Sequence, residues 1–242
     1  MTKSNRRPSR RAAFAATLGL AAGTALLLPG CTKAVEKEAD EGGVSATEDL
    51  MREHGVLRRI LVVYRESAGL IRANAAALDA GALVQAADLF RRFGEDYHEK
   101  QLEEQYVFPA VRKAGREGAG LIDALLRQHV RGREINAFVT DKCKIGRIAG
   151  GDAEPLARAL ESFARMYEIH AAIEDTVVFQ AWKASMPKAE LAELSEKFED
   201  IEHQQFKGDG FDLAVDQVKA VEARLGLAGL DRYTAPLPGA AA

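Results

Sequence analysis

The sequence predicts an all-α protein, built as an up-down-up-down four-helix bundle with additional helices at its C-terminal end. Three observations support this fold class. The chain of 242 residues contains only 7 prolines, and residues of high helix propensity, chiefly Ala, Leu, Glu, Arg and Lys, are abundant throughout. Apolar residues recur at helical spacing over long stretches. Short turn sequences separate four such stretches, an arrangement typical of antiparallel helices that pack side by side.

Residues 1–31 are predicted to be an export signal that lies outside the fold. Basic residues precede an apolar run of 17 residues, which is short for a membrane-spanning helix and typical of a signal peptide. A permanent membrane anchor is the alternative. Arg10 and Arg11 resemble the pair of a twin-arginine signal, and "LPGC" resembles a lipobox with Cys31 as the lipidated residue. We therefore expect an exported protein of the periplasm or cell envelope, membrane-associated through a lipid on Cys31, with residues 32–44 as a flexible tether.

The helical domain is predicted over residues 45–225. Its first helix should begin at the capping-box sequence "SATE" and fade near Asn74. The second helix should run from about Ala82 to Ala114, and Pro109 is expected to kink it or to begin its end.

The rest of the domain is predicted to contain four more helices and a tail. Asp152 is expected to cap the fourth helix of the bundle, as acidic residues often do at this position. No internal repeat is expected. The predicted ranges are about 120–148 for the third helix, 152–184 for the fourth, 188–206 and 211–225 for the two additional helices, and 226–242 for the tail.

The charge distribution argues against a nucleic-acid partner. Five of the 33 basic residues and none of the 36 acidic residues lie in residues 1–31. The remainder of the chain therefore has 28 basic and 36 acidic residues and a net charge of −8, whereas binding to a phosphate backbone requires a basic surface. The two cysteines, Cys31 and Cys143, are too few for a disulfide framework, and Cys143 is expected to be a small buried residue.

Histidines and carboxylates indicate a metal site in the core of the bundle. One histidine lies near the middle of each bundle helix, and in an antiparallel bundle these positions meet at one level. Imidazole and carboxylate ligands suit Fe(II), Fe(III) and Mn(II). The histidines are His54, His98, His129 and His170, and the accompanying carboxylates are Glu174 on the fourth helix and Glu99, Glu103 and Glu104 on the second.

The stretch "MYEIHAAIEDTVVFQAW" shows why Glu174 needs a partner. Residues such as Met166, Ile169 and Val178 form the expected core-facing side of this helix, and Glu174 lies on that side, one turn after His170. A buried carboxylate without a partner costs several kcal/mol. We therefore expect Glu174 to face a metal ion.

Four segments resemble the helices of the hemerythrin-like (HHE cation-binding) domain family. The segments are "LMREHGVLRRI", "DYHEKQLEEQYVFPAV", "LLRQHVRGREI" and "YEIHAAIEDTVVFQAW". The resemblance covers about residues 46–186 and implies a non-haem di-iron centre inside a four-helix bundle. It places His54, His98, His129, His170 and Glu174 at positions of metal ligands.

The chain departs from the family pattern at two positions. The family has His-x-x-x-Glu on the second helix, but Leu102 is the fourth residue after His98 here. A one-residue π-bulge would bring Glu103 onto the face of His98, and Glu99 is the alternative ligand. Arg133 stands where animal oxygen carriers have a further histidine. This substitution implies one ligand fewer or an open position, and it argues against simple reversible oxygen carriage.

The remaining polar and aromatic residues of interest have ordinary structural explanations. His203 lies outside the four-helix core and is expected to be a structural or supporting polar residue rather than a ligand. Tyr97, Tyr106 and Tyr167 are expected mainly to fill space in the core, and the alternative is that they donate hydrogen bonds to groups around the metal ligands. Trp182 is expected to pack at the end of the fourth helix.

These observations predict an exported di-iron protein that binds or senses O2, NO or peroxide, or that handles iron. A different class of function uses the same centre as an oxidoreductase that consumes peroxide or NO. A third possibility is a helical module without metal. The optical bands of an oxo-bridged di-iron site would separate the first two from the third.

Overall fold

A computed structural model describes residues 44–115 and 117–238. Six continuous helices and no strands are found among these residues. The predicted export signal and most of the predicted tether lie outside the described residues, and both remain predictions. None of the helices in the described ranges has the length and apolar character needed to cross a membrane.

The four bundle helices are followed by two further helices. Two of the bundle helices contain a segment with π-type hydrogen bonds, in which the backbone N–H donates to the carbonyl five residues earlier. The elements are α1 (Ala46–Asn74); α2 (Ala80–Leu89), the first π segment (Phe90–Val107) and α3 (Phe108–Ala114) as one helix; α4 (Ile122–Cys143); α5 (Ala153–Ile173), the second π segment (Glu174–Val178) and α6 (Phe179–Lys183) as one helix; α7 (Lys188–Phe206); and α8 (Gly210–Arg224).

The arrangement of these helices confirms the predicted fold class. Helix α1 packs along α5, while α4 packs against both α2 and α5, and the first π segment contacts α1 and α4. The resulting bundle encloses a core rich in aromatic rings. Phe90, Phe163 and Tyr167 form one group of edge-on and tilted rings, with centroids 4.6 to 4.9 Å apart.

Helices α7 and α8 cover the outer side of α1 and of the second bundle helix, which contains α2 and the first π segment. The backbone N–H of Ala46 donates to Ser195 Oγ on α7 at 2.8 Å. On α8, Glu222 accepts two hydrogen bonds from Arg59. The ring of Phe206 packs edge-on against Tyr97, with centroids 5.3 Å apart. The two additional helices are thus part of the same packed domain.

Pro109 lies at the start of α3, where the hydrogen-bond register changes and a missing N–H donor is tolerated, and the helix ends at Ala114. Two other local predictions were wrong. Asp152 makes no capping hydrogen bond, since its carboxylate pairs with Lys142 at 3.0 Å. The third helix ends at Cys143, and Gly146 turns the chain with a φ of +75°.

The core assignments were mostly correct. Cys143 is buried, as predicted. Trp182 is fully buried and stacks on Phe198 of α7, with centroids 5.7 Å apart. Ile169, however, is 63% exposed. The side of α5 that faces the core is formed instead by residues such as Phe163 and Tyr167. The predicted apolar side of this helix therefore included a position that faces solvent.

Candidate metal centre

The four predicted histidines meet in the middle of the bundle as two pairs. His54 and His98 approach each other with their Nε2 atoms 3.0 Å apart. His129 and His170 do the same at 3.2 Å. All four are at least 97% buried. Such a separation suits two nitrogen ligands of one ion, since bonds of about 2.1 Å that meet near a right angle span about 3 Å.

Two carboxylates join the histidine pairs. Glu103 Oε1 lies 3.3 Å from Nε2 of His98, and its Oε2 lies 3.4 Å from Nε2 of His129. Glu174 Oε2 lies 3.1 Å from Nε2 of His170 and 3.5 Å from that of His54. Each carboxylate therefore contacts one histidine of each pair, an arrangement that allows it to bridge two ions.

The structure brings all six predicted site residues together in two overlapping groups suited to metal binding. In each group, one potential ligand atom per residue lies within 4.8 Å of all the others. Glu103 belongs to both. Position 1 is formed by His54, His98 and Glu103, and position 2 by Glu103, His129, His170 and Glu174.

The hydrogen bonding of the carboxylate oxygens indicates whether a cation fits this site. Both oxygens of Glu103 and both of Glu174 are buried without a hydrogen-bond partner. Buried carboxylates of this kind are tolerated when they are paired or coordinate a metal. The oxygen and nitrogen donors present are those that iron and manganese prefer. A pair of such ions therefore fits the residues of the site.

Each histidine is oriented by a hydrogen bond at its other ring nitrogen. A carboxylate or amide oxygen can only accept, so each Nδ1 carries a proton and each Nε2 faces the centre of the site. Once any second proton has left the ring, Nε2 is the nitrogen that can bind a metal. The acceptors are Asp175 for His54 at 2.7 Å, Glu53 for His98 at 2.7 Å, Glu104 for His129 at 2.9 Å and Gln128 for His170 at 2.9 Å.

The two π segments position the carboxylates of Glu103 and Glu174. The backbone N–H of Phe108 donates to the carbonyl of Glu103, and that of Phe179 donates to the carbonyl of Glu174. The π-type winding predicted after His98 is thus present, although it extends over 18 residues instead of one bulge. It turns Glu103 inward, where it is completely buried.

An approximate two-fold repeat organises the site. In each half, a carboxylate that contacts both histidine pairs is followed directly by a second acidic residue. This second residue accepts hydrogen bonds from a histidine and an arginine of one other helix. A phenylalanine five residues after the first carboxylate stacks on the same histidine. One half contains Glu103, Glu104 and Phe108 with His129 and Arg133, and the other contains Glu174, Asp175 and Phe179 with His54 and Arg58.

The expectation of no internal repeat was therefore wrong at this local level. The signal in the sequence is the pair "EEQYVF" and "EDTVVF" together with the pair "HVRGR" and "HGVLR". These matches are short and interrupted, so a search for long repeats passes over them.

The electrostatics of the site favour cations. Burial alone would raise the pKa of Glu103, but the imidazoles of His98 and His129 hold it well below its usual range. Burial lowers the pKa of His129, yet the charge of Glu99 and the contacts with Glu103 and Glu104 raise it to about 10. The carboxylates therefore attract positive charge strongly, and a metal ion must displace protons when it binds.

Glu99, the alternative ligand, lies beside positions 1 and 2 and forms a third potential metal-binding group with Glu104 and His129. Its Oε1 accepts from the hydroxyl of Tyr167 at 2.7 Å, and its Oε2 accepts from Arg133 at 3.0 Å. Arg133 also donates to Glu104 at 2.6 Å. The guanidinium thus lies between two carboxylates.

A small cavity of about 10 Å³ adjoins the histidines. This volume accommodates about one water-sized molecule. Leucine and alanine side chains form much of its wall, together with the edge of the metal site. The lining residues are His54, Leu57, Arg58, Leu61, His98, Glu99, Tyr167, His170 and Ala171.

The other residues considered from the sequence fall into two groups. His203 is exposed on α7 and is not among the residues grouped at the site. Tyr106 packs against Phe198, as expected. Tyr97 and Tyr167 are more than space-filling residues, because their hydroxyls donate to the buried carboxylates of Glu53 and Glu99.

Comparison with known proteins agrees with this geometry. Residues 45–180 match the family described as the hemerythrin HHE cation binding domain. The chain is also 43% identical over 192 residues to an uncharacterized protein from Mycobacterium bovis and to one from Mycobacterium tuberculosis (strain H37Rv); each alignment covers 79% of this chain and 74% of the relative. No solved structure gives a significant match.

Proposed function

The chain belongs to the family of hemerythrin HHE cation-binding domains, and on this premise we propose that positions 1 and 2 hold a non-haem di-iron centre that binds a small oxidant. The buried carboxylate oxygens of Glu103 and Glu174 carry this proposal. All four are without a hydrogen-bond partner, and two adjacent ions would satisfy them together. Iron suits the mixed imidazole and carboxylate ligands.

The cavity supports a ligand of one to two heavy atoms. It adjoins both histidines of position 1 and one of position 2. Its volume of about 10 Å³ suits a small ligand such as O2, NO or hydrogen peroxide. The protein's own contribution is to orient the four imidazoles, to supply two bridging carboxylates and to limit the space for a ligand. When bound, the di-iron centre would supply the redox chemistry.

Metal analysis and optical spectroscopy of the purified protein test this function. We expect close to two irons per chain and ultraviolet-visible bands of an oxo-bridged di-iron site that change when azide is added. His203→Ala is the matched control, because it removes an exposed histidine of α7 and should leave both properties unchanged. Protein grown with sufficient iron that retains no metal would overturn the proposal and favour a metal-free helical module.

An oxidoreductase that consumes peroxide or NO is the second candidate. Arg133 favours it, because this side chain is held by Glu99 and Glu104 where oxygen carriers have an additional nitrogen ligand. Position 2 then lacks a ligand that the resemblance to the oxygen carriers would add, although it has four candidate ligands against three at position 1. Peroxide and NO turnover assays distinguish the candidates, since a binding protein or sensor should show a spectral change without sustained consumption.

A further inference from the structure

The approximate two-fold repeat of the site is broken at one pair of residues. In each histidine pair, the residue directly before the first histidine accepts a hydrogen bond from the second histidine. Glu53 Oε2 accepts from His98 Nδ1 at 2.7 Å in position 1, whereas Gln128 Oε1 accepts from His170 Nδ1 at 2.9 Å in position 2. A charged acceptor thus supports one imidazole and a neutral amide supports its counterpart.

The other two acceptors do not differ in this way. Asp175 and Glu104 are both carboxylates, and each is paired with an arginine, Arg58 or Arg133. Their effects on the two positions therefore largely cancel. Among the four acceptors of the imidazole N–H groups, Glu53 and Gln128 remain as the difference between the halves.

The charge of Glu53 is little neutralised by its surroundings. Its side chain is completely buried, and Oε1 accepts from the hydroxyl of Tyr97 at 3.0 Å. Within the described part of the chain, no lysine or arginine forms an ion pair with it. A carboxylate that accepts from a ligating imidazole makes the imidazole more basic and more electron-donating. A neutral amide does this less, because hydrogen bonds to a charged acceptor are roughly twice as strong.

We propose that Glu53 and Gln128 make the two metal positions inequivalent, so that the ion at position 1 loses an electron more readily than the ion at position 2. This inference rests on the proposed di-iron function. The centre then exchanges electrons singly with an external one-electron acceptor or donor, since each position has its own reduction potential. It is consequently better suited to stepwise redox reactions than to a single two-electron step.

Outside the candidate ligands of positions 1 and 2, Glu99 opposes this difference through its charge. It lies near position 2, but its Oε2 is 3.8 Å from Nδ1 of His129, beyond hydrogen-bond distance. Its oxygens are already bound by Arg133 and Tyr167. It therefore acts on the imidazole only through space, and its charge is partly offset by the guanidinium.

Redox titration of the iron-loaded full chain, followed by optical bands and electron paramagnetic resonance, tests the inference. The wild type should show two one-electron steps separated by at least 59 mV, which corresponds to a tenfold preference. Gln128→Glu should bring the two steps together by lowering the potential of position 2. Glu53→Gln should also bring them together, by raising the potential of position 1. Opposite shifts in the mean potential distinguish the two variants.

Glu99→Gln is the control, because it removes a nearby negative charge that makes no hydrogen bond to a histidine of the site. It should move the potentials less than Gln128→Glu does, and an equal or larger movement would overturn the inference. A single two-electron step in the wild type would overturn it as well.

Cobalt(II) separates this inference from the proposed function. If the chain takes up no iron, the proposed function fails, and stepwise titration with cobalt(II) then tests the inequivalence alone. The first equivalent should bind at least tenfold more tightly than the second, and Glu53→Gln should reduce this ratio. Equal affinities for the two equivalents would contradict the inference.

Discussion

His98 and Glu103 are five residues apart on one helix, yet Nε2 of the histidine lies 3.3 Å from Oε1 of the glutamate. In an α-helix with 3.6 residues per turn, five residues span about 1.4 turns, and the two side chains would point in different directions. The first π segment removes this mismatch because its hydrogen bonds join residues five apart. The extra residue between histidine and glutamate is thereby accommodated within the metal centre.

This relationship predicts different effects for three neighbouring glutamates. Glu103→Ala should remove a ligand shared by positions 1 and 2, and it should perturb the iron spectrum and lower metal affinity the most. Glu104→Ala should cost about 10–100-fold in affinity, because it removes only the acceptor of His129. Metal titrations with optical detection provide the comparison. A larger effect of Glu99→Ala than of Glu103→Ala would show that the helix register at the site is wrong.

A second prediction concerns the other bridging carboxylate. His170→Ala and Glu174→Ala should each release iron, since each removes a donor and leaves the remaining charges of the buried site poorly matched. Iron content per chain after gel filtration provides the measurement. The circular dichroism of each variant controls for folding, and full iron occupancy in the double variant would end the di-iron assignment.

The sequence was sufficient to locate the histidines because each lies near the middle of a bundle helix, and helical spacing is a strong pattern. It also pointed to π-type winding, since one residue too many separates His98 from Glu103. The second π segment, at Glu174, could not be anticipated. His170 and Glu174 have ordinary α-helical spacing, and the apolar pattern does not report a change of hydrogen-bond register.

The acceptors of the imidazole N–H groups were also missed. Glu53 and Gln128 are adjacent in sequence to one histidine but bind the histidine of another helix. Charged and amide side chains on helices are usually solvated, so the types of these two residues gave no reason to place them in the core. Their roles follow only from the packing of the four helices.

The close packing of Tyr167 against Gly132 can be tested by substitution of the glycine. A Cβ atom at this position would lie 2.0 Å from the Tyr167 hydroxyl oxygen and 2.7 Å from two ring carbons. Gly132→Ala should therefore displace the ring, break its hydrogen bond to Glu99 and destabilise the fold by about 1–3 kcal/mol. Chemical denaturation measures this loss.

Gly55→Ala is the matched control for the glycine substitution. Nothing lies within 4 Å of a Cβ at Gly55 in the middle of α1. Alanine should stabilise this helix by about 0.5–1 kcal/mol. Equal stability of the two variants would show that the close approach of Tyr167 to Gly132 is not required.

The export prediction is tested at Cys31, which lies outside the described residues. If this cysteine is lipidated, Cys31→Ser should move the protein from the membrane to the soluble envelope fraction or leave it unprocessed. Arg10→Lys combined with Arg11→Lys should block export. Cys143→Ala, at the buried second cysteine, should remain membrane-bound. Wild-type protein found in the cytoplasm with an intact N-terminus would refute the targeting argument without affecting the metal site.

Glu95 should make the stability of the protein depend on pH. Burial, reinforced by the charge of Glu99, raises the pKa of this carboxyl from 4.5 to about 7, and its Oε1 has no hydrogen-bond partner. Because the folded state disfavours the ionised form, the associated stability is fully present below pH 4.5 and is lost as the pH rises through about 7. The loss is on the order of 3 kcal/mol.

The neutral variant Glu95→Gln should remove this dependence. Its free energy of unfolding should match that of the wild type near pH 4.5 and exceed it at pH 8, because an amide has no charge to bury. Denaturant titrations of both proteins in the same metal state isolate the effect, since the other titrating groups then cancel in the difference. A wild-type advantage at pH 8 would mean that Glu95 is ionised and stabilised in the folded protein, with Arg133 or Asn136 as its partner.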